Sequence, residues 1–161
     1  MVDYLTHAQI RAARSMTGET REVLAKRADV TVPVLKRLES PKRKLPDPLM
    51  LKAVKTAFEE KGLEFLAATE NVGDGVKYIE AVGNKWTDML PHARALLGHS
   101  VHSFAKEAGL SADSISRVEK EDFKRFPEDS VRKIRETLST KGVIIILEDG
   151  ESGAGVRFRR P

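Results

Sequence analysis

Residues 13–39 read ARSMTGETREVLAKRADVTVPVLKRLE, and residues 93–119 read ARALLGHSVHSFAKEAGLSADSISRVE. The two stretches align without a gap at an offset of 80, and eight of their 27 positions are identical: Ala13/Ala93, Arg14/Arg94, Gly18/Gly98, Ala25/Ala105, Lys26/Lys106, Ala28/Ala108, Arg37/Arg117 and Glu39/Glu119. Other pairs keep their character, such as Leu24/Phe104, Val30/Leu110, Leu35/Ile115 and Leu38/Val118. The offset persists downstream, where Lys61-Gly62 meets Lys141-Gly142 and GVKY (75–78) meets GVRF (155–158). Two copies of a unit this long mean tandem domains rather than a solenoid of many short repeats. The boundaries fall at 1–80 and 81–161.

Composition sets the outer limits. The chain has 161 residues, 40% hydrophobic and 32% charged, with a net charge of +4 from 28 basic and 24 acidic side chains. A mild basic excess is compatible with a nucleic-acid partner but carries little weight until the charge is located. Cysteine is absent, so disulfides and thiolate metal sites are excluded. The N-terminal stretch has no apolar core of a signal peptide. The longest apolar run, Val143 to Leu147, is far too short to span a bilayer. The expectation is a soluble cytoplasmic protein with no membrane partner.

One unit reads as follows. Thr6 and Gln9 form a capping box for a first helix running to about Met16, with Ile10 and Ala13 inward. Gly18 ends it. Thr20 caps a second helix over about 21–28, with Leu24 and Ala25 inward. A turn at Asp29-Val30 leads to Thr31, the cap of a third helix that tolerates Pro33 in its first turn. Leu35 and Leu38 face the core, which leaves Val32, Pro33, Lys36 and Arg37 outward. A longer helix follows Pro48, with Leu51, Val54 and Phe58 on one face, and ends at Gly62. The pattern then changes to β-formers around a glycine-bearing turn, LEFLA and GVKYIEAV, and predicts a hairpin. The second unit repeats the plan with VIIIL and GVRFR, and Pro91 shortens or distorts its first helix.

The fold expected is therefore mainly α with small β: two tandem helix-turn-helix domains of four to five helices, each ending in a β-hairpin. An isolated hairpin is marginal in water. Joining both hairpins in one four-stranded sheet within the chain is the economical solution, and pairing between chains is the other. The first gives a monomeric pseudo-dimer, the second a homodimer. Leu63-Glu64-Phe65 alternates and needs one covered face, whereas residues 143–147 do not alternate and ask for cover on both. Trp86, with Met89 and Leu90, is expected to pack the junction between the units.

Two short helices with a tight turn, behind a supporting helix, are the helix-turn-helix plan. The pattern AQIRAARSMTG, LAKRADV, VLKRLE resembles the phage-repressor-type (Xre/Cro-like) helix-turn-helix family. It resembles more narrowly small bacterial regulators whose helical domain ends in a hairpin, here GLEF with GVKY and GVII with GVRF. The resemblance covers nearly the whole chain, twice. It departs at the start of the second helix, where Arg21 and Val101 replace the family's usual glutamine, and at the turn, where Asp29 stands for the glycine that Gly109 keeps. It implies a transcriptional regulator that binds duplex DNA as partner. It also implies structural ion pairs between Arg14 and Glu39 and between Arg94 and Glu119, each 25 residues apart.

The DNA-reading surface expected of the first unit comprises Thr31, Val32, Pro33, Lys36 and Arg37. Arg or Lys reads guanine, and Val32 suits a thymine methyl. Thr20 and Arg21 open the second helix, where phosphate binds, and Lys42, Arg43 and Lys44 flank it on the backbone. The counterparts in the second unit are Ser100, Ser111, Ala112, Ser116 and Arg117. Charge separates the units. Residues 31–55 hold seven basic and two acidic side chains, a balance of +5, whereas residues 111–135 hold seven and six, a balance of +1. Phosphate neutralisation supplies most non-specific affinity, so the first unit is the stronger reader. Asp113 on the outward face repels phosphate, although an acid accepts from cytosine. Weak binding, a different half-site and another task all remain open for the second unit.

Nothing in the pattern points to catalysis or to a cofactor. His99 and His102 are three apart with no third ligand in view, so no metal site is assigned. GDGV and ESGAGV lead into strands and read as hairpin turns rather than phosphate loops. The expected function is a bacterial transcriptional regulator, nucleoid-associated when bound, whose tandem units act as a pseudo-dimer on a specific DNA site. The rival is a protein-interaction module, an anti-activator or co-regulator, that binds another regulatory protein through the second unit or the sheet.

Overall fold

The computed structural model describes residues 4–43 and 47–161. Among these residues each repeat contributes four α-helices and two strands. The first holds α1 (His7–Thr17), α2 (Arg21–Ala28), α3 (Val32–Leu38), α4 (Pro48–Glu59), β1 (Leu63–Leu66) and β2 (Gly75–Tyr78). The second holds α5 (Leu90–Leu97), α6 (Val101–Ala108), α7 (Ala112–Glu119), α8 (Glu128–Thr140), β3 (Val143–Ile146) and β4 (Gly155–Phe158).

Local chemistry sets the element ends. Thr6, Thr20 and Thr31 each accept a backbone N–H with their hydroxyl, from Gln9, Val23 and Val34. The Thr6–Gln9 capping box is complete in both directions. Gly18 ends α1 in the left-handed conformation at φ 69°, which an L-residue adopts only at a cost. In the second repeat Pro91 falls in the first turn of α5, and that helix is three residues shorter than α1. A 3₁₀ turn, Trp86–Met89, covers the missing length, because proline has no N–H to continue an α-helical ladder upstream.

The two hairpins meet in one antiparallel sheet of order β1-β2-β4-β3. Its central seam is self-complementary. Val76 pairs with Val156, its own repeat partner, while Gly75 pairs with Arg157 and Lys77 with Gly155. Reciprocal bonds extend the seam: Tyr78 N–H donates to Ala154 C=O at 2.8 Å, and Phe158 N–H donates to Asp74 C=O at 2.9 Å. This is an approximate two-fold axis passing between Val76 and Val156, the isologous contact of a symmetric dimer built into one chain. Gly75 and Gly155 are required there. A Cβ on Gly75 would overlap Arg157 Cβ and Val156 O, and one on Gly155 would overlap Lys77 Cβ and Val76 O.

Helices α1 and α5 pack together beside the seam. Arg11 crosses from α1 and donates to Ala95 and Leu96 C=O at the end of α5, at 3.0 and 2.9 Å. These carbonyls are among the last four of the helix, which have no partner inside it. Ser15 Oγ meets His92 Nδ1 at 2.7 Å across the same contact, and the His92 ring stands edge-on to Tyr78. Gln9 is buried, and its amide donates to Leu66 and Gly75 C=O at 2.9 Å each, tying α1 to the sheet. Buried residues of both repeats form one contiguous core that includes Ile10, Leu24, Leu35, Phe58, Phe104, Ile115 and Ile134. Each such large side chain contributes about 1.5–3 kcal/mol by leaving water.

Two expectations about packing need correction. The run at 143–147 is not covered on both faces: Val143 is buried, Ile144, Ile145 and Ile146 are half-buried, and Leu147 is 65% exposed. As an edge strand with one face on α8, β3 leaves its other face partly in water. Trp86 does not pack a junction between the repeats. It lies against α8 of its own repeat, with the Arg135 guanidinium 4.5 Å from its ring centroid.

Candidate nucleic-acid interface

The pair α2 and α3 is held by the turn between them. Asp29 takes the left-handed conformation at φ 55°, and Val30 N–H donates back to Ala25 C=O at 3.0 Å. Gly109 occupies the matching place at φ 67°, with Leu110 N–H on Ala105 C=O at 2.9 Å. The aspartate therefore reproduces the backbone path of the glycine, at the steric cost that any Cβ brings to this region. Leu24, Leu35 and Leu38 are buried beneath the pair, as Phe104, Ile115 and Val118 are in the second repeat. The opposite side of α3 faces solvent: Thr31, Pro33, Lys36 and Arg37 are exposed and Val32 is half-buried.

Behind this surface sits a buried carboxylate. Glu39 is 3% exposed. Its two oxygens accept from Arg14 Nε and Arg21 Nε, both at 2.6 Å. The second repeat holds the matching pair, with Arg94 bidentate on Glu119 at 2.7 and 2.9 Å. Charge-assisted bonds of this kind are short and directional. They lock the first helix of each repeat to the end of the third, so the orientation of α3 and α7 is fixed from behind. Arg21, expected at a phosphate, is joined through Nε to this structural carboxylate. Valine occupies its place in the second repeat, and Glu119 is left with one arginine.

The loop after α3 divides its cations between two tasks. Arg43 turns inward: its guanidinium donates to Leu38 C=O at 3.2 Å and to Leu5 C=O. It ties the loop to the N-terminal segment. Lys42 is exposed. Lys44 lies outside the described residues. Among the described residues, Lys36, Arg37 and Lys42 take part in no ion pair, so their charge is not committed to the fold.

The second repeat differs in kind. Arg117, at the place of Arg37, pairs with Asp113 one turn earlier on α7 at 2.8 Å. Further cations of this half are also matched: Arg132 with Asp129 and Glu136, Lys133 with Asp129, Lys141 with Glu107, and Lys85 with Glu121. Ser100 and Ser111 are helix caps that accept from Ser103 and Ser114 N–H at 3.1 Å. Ala112 and Ser116 are half-buried on α7. His99 Nδ1 bonds Ser103 Oγ at 2.8 Å.

No family model, no curated protein and no solved structure matches this chain. No helix among the described residues is long and apolar enough to cross a membrane.

Proposed function

We propose that this chain is a sequence-specific double-stranded DNA-binding regulator of the phage-repressor type, working as an intramolecular pseudo-dimer with the first repeat as the stronger reader. The observation that carries the reading is the contrast at the outward edge of the third helix. In the first repeat Lys36, Arg37 and Lys42 are exposed and take part in no ion pair among the described residues, whereas in the second Arg117 is held by Asp113. Folding does not use the first set. A phosphate backbone would use it fully.

In this reading α3 enters a major groove. Lys36 and Arg37 reach guanine edges, Val32 lies against a thymine methyl, and Thr20 and Lys42 meet phosphates on either side. The buried Glu39 keeps α3 at a constant angle, so that side-chain readout is preorganised. The two-fold seam at Val76 and Val156 relates α3 to α7, which supports a site with two approximate half-sites. The half facing α7 then contributes less affinity. Transcriptional control follows from occupancy of the site.

A polarisation titration of the full chain against duplexes selected from a random pool tests the proposal. A selected site bound much more tightly than scrambled duplex is expected. Binding that ignores sequence, or is absent at low salt, contradicts it. The rival, docking on another regulator through the second repeat, draws support from the charge-paired surface of α7 and α8. Charge reversal at Lys36 and Lys42 separates the two, since only a DNA reader loses function.

A further inference from the structure

The second repeat carries a pocket that its own duplicate lacks the residues to form. In the first repeat Phe58 of α4 and Phe65 of β1 meet edge to face, 5.9 Å between centroids, in the angle between helix and strand. At the same places, 80 residues on, stand the smaller Leu138 and Ile145. There a cavity of about 340 Å³ opens, walled by Trp86, Leu138, Val143 and Ile145 and flanked by Arg135 and Arg159. The counterparts of Trp86, Arg135 and Arg159 in the first repeat are Thr6, Lys55 and Ile79. The apolar walls, the tryptophan and one of the two cations are thus changes made in one copy of a duplicated fold.

The chemistry of the lining selects a ligand class. Arg135 stacks on Trp86 at 4.5 Å, a geometry that leaves the N–H edge of a guanidinium free to fork onto a carboxylate. Among the described residues neither Arg135 nor Arg159 has a carboxylate partner. The walls are leucine, valine, isoleucine and indole, the surroundings of an apolar ring. The volume lies at the low end of the range for small-molecule sites, roughly 300–1,000 Å³. We propose that this is a binding site for a small aromatic carboxylate, its ring against Trp86, Leu138 and Ile145 and its carboxylate on Arg135 and Arg159. The site is independent of the DNA reading, and its test uses no DNA.

The probe is 1-naphthoate, with 1-naphthalenemethanol as its uncharged analogue, titrated calorimetrically into the full chain. Trp86 is the only tryptophan and lines this pocket, so the NMR signal of its indole N–H reports occupancy here. The expected result is saturable one-site binding of the acid with a matching Trp86 signal, and binding at least about tenfold weaker for the alcohol and for Arg135→Met, as the loss of a charged hydrogen-bond partner requires. Ile145→Phe restores the first repeat's residue and is expected to abolish binding. Arg135 is on the surface, so Arg135→Met keeps the test decisive if Ile145→Phe fails to fold. Absence of binding at millimolar acid overturns the proposal. So does binding that Arg135→Met leaves unchanged, which would be adsorption on exposed apolar surface.

Discussion

Replacing Glu39 by glutamine removes one negative charge from a position that faces two arginines. The side chain keeps its size, so the cost is electrostatic rather than a cavity. Glu39 is almost fully buried, while the Arg14 and Arg21 side chains are 26% and 37% exposed. Breaking a buried ion pair by changing one partner costs about 3–5 kcal/mol. Partial exposure lets water solvate the stranded guanidinia, which puts Glu39→Gln near the lower end, about 3 kcal/mol. For a chain of this length each kcal/mol moves Tm by roughly 2–4 °C, so a fall of about 6–12 °C is expected in differential scanning calorimetry. Glu119→Gln is the internal control. That carboxylate holds one arginine rather than two, so its loss should cost less. A fall of less than about 2 °C for Glu39→Gln, or a larger fall for Glu119→Gln, would mean that the Arg14–Glu39–Arg21 triad does not stabilise the fold as these contacts require.

Three further outcomes follow from other contacts. Burial pushes the His92 imidazole down to about 4, partly opposed by Asp88. The unfolded chain therefore binds a proton near pH 6.5 that the native state refuses, and stability is lost as pH falls from there towards 4, by about 3 kcal/mol in total. Urea midpoints for wild type and His92→Asn should converge through this window, and parallel curves would contradict the assignment. Asp29→Gly relieves a left-handed aspartate and should stabilise by up to about 1 kcal/mol, whereas Gly109→Ala should destabilise by about 1 kcal/mol; equal denaturant midpoints for the two would count against the turn geometry. Gly155→Ala places a methyl group into Lys77 Cβ and Val76 O and should cost about 1–3 kcal/mol or more, and an unchanged midpoint would mean that β2 and β4 are not paired in this register.

Local signals in the chain carried most of the architecture. Threonine caps, helix-ending glycines and the offset of 80 locate α1 to α4 and their copies, while the ion pairs Arg14–Glu39 and Arg94–Glu119 are expected from the family resemblance rather than from the spacing alone. Hairpin pairing was legible too, because two marginal hairpins in one chain have an obvious way to bury their faces. Long-range polar contacts were not legible. Arg11 reaches the end of α5, and its place in the second repeat is proline, so the duplication gives no hint of it. Arg21 and Arg43 look like any exposed cation in the sequence, yet one joins Glu39 and the other holds a loop to Leu5 and Leu38. The only clue was negative: the second repeat has valine and phenylalanine at those two places and folds alike. Lys36, Arg37 and Lys42 are the cations of this edge, among the described residues, that take part in no ion pair.

Lys36, Arg37 and Lys42 are proposed as the DNA-contacting edge of the first repeat. Their contribution is measured by the salt dependence of binding of the full chain to selected and scrambled duplexes, with and without Lys36→Ala, Arg37→Ala and Lys42→Ala together. Each phosphate contact contributes about 0.9 to the slope of log affinity against log salt. The triple variant is expected to lose most of its preference for the selected site over scrambled duplex, through Lys36 and Arg37, and about 1 of that slope, through Lys42, while Arg117→Ala leaves the slope nearly unchanged. Unaltered preference and slope in the triple variant, or a larger loss from Arg117→Ala, would remove these three cations from the interface.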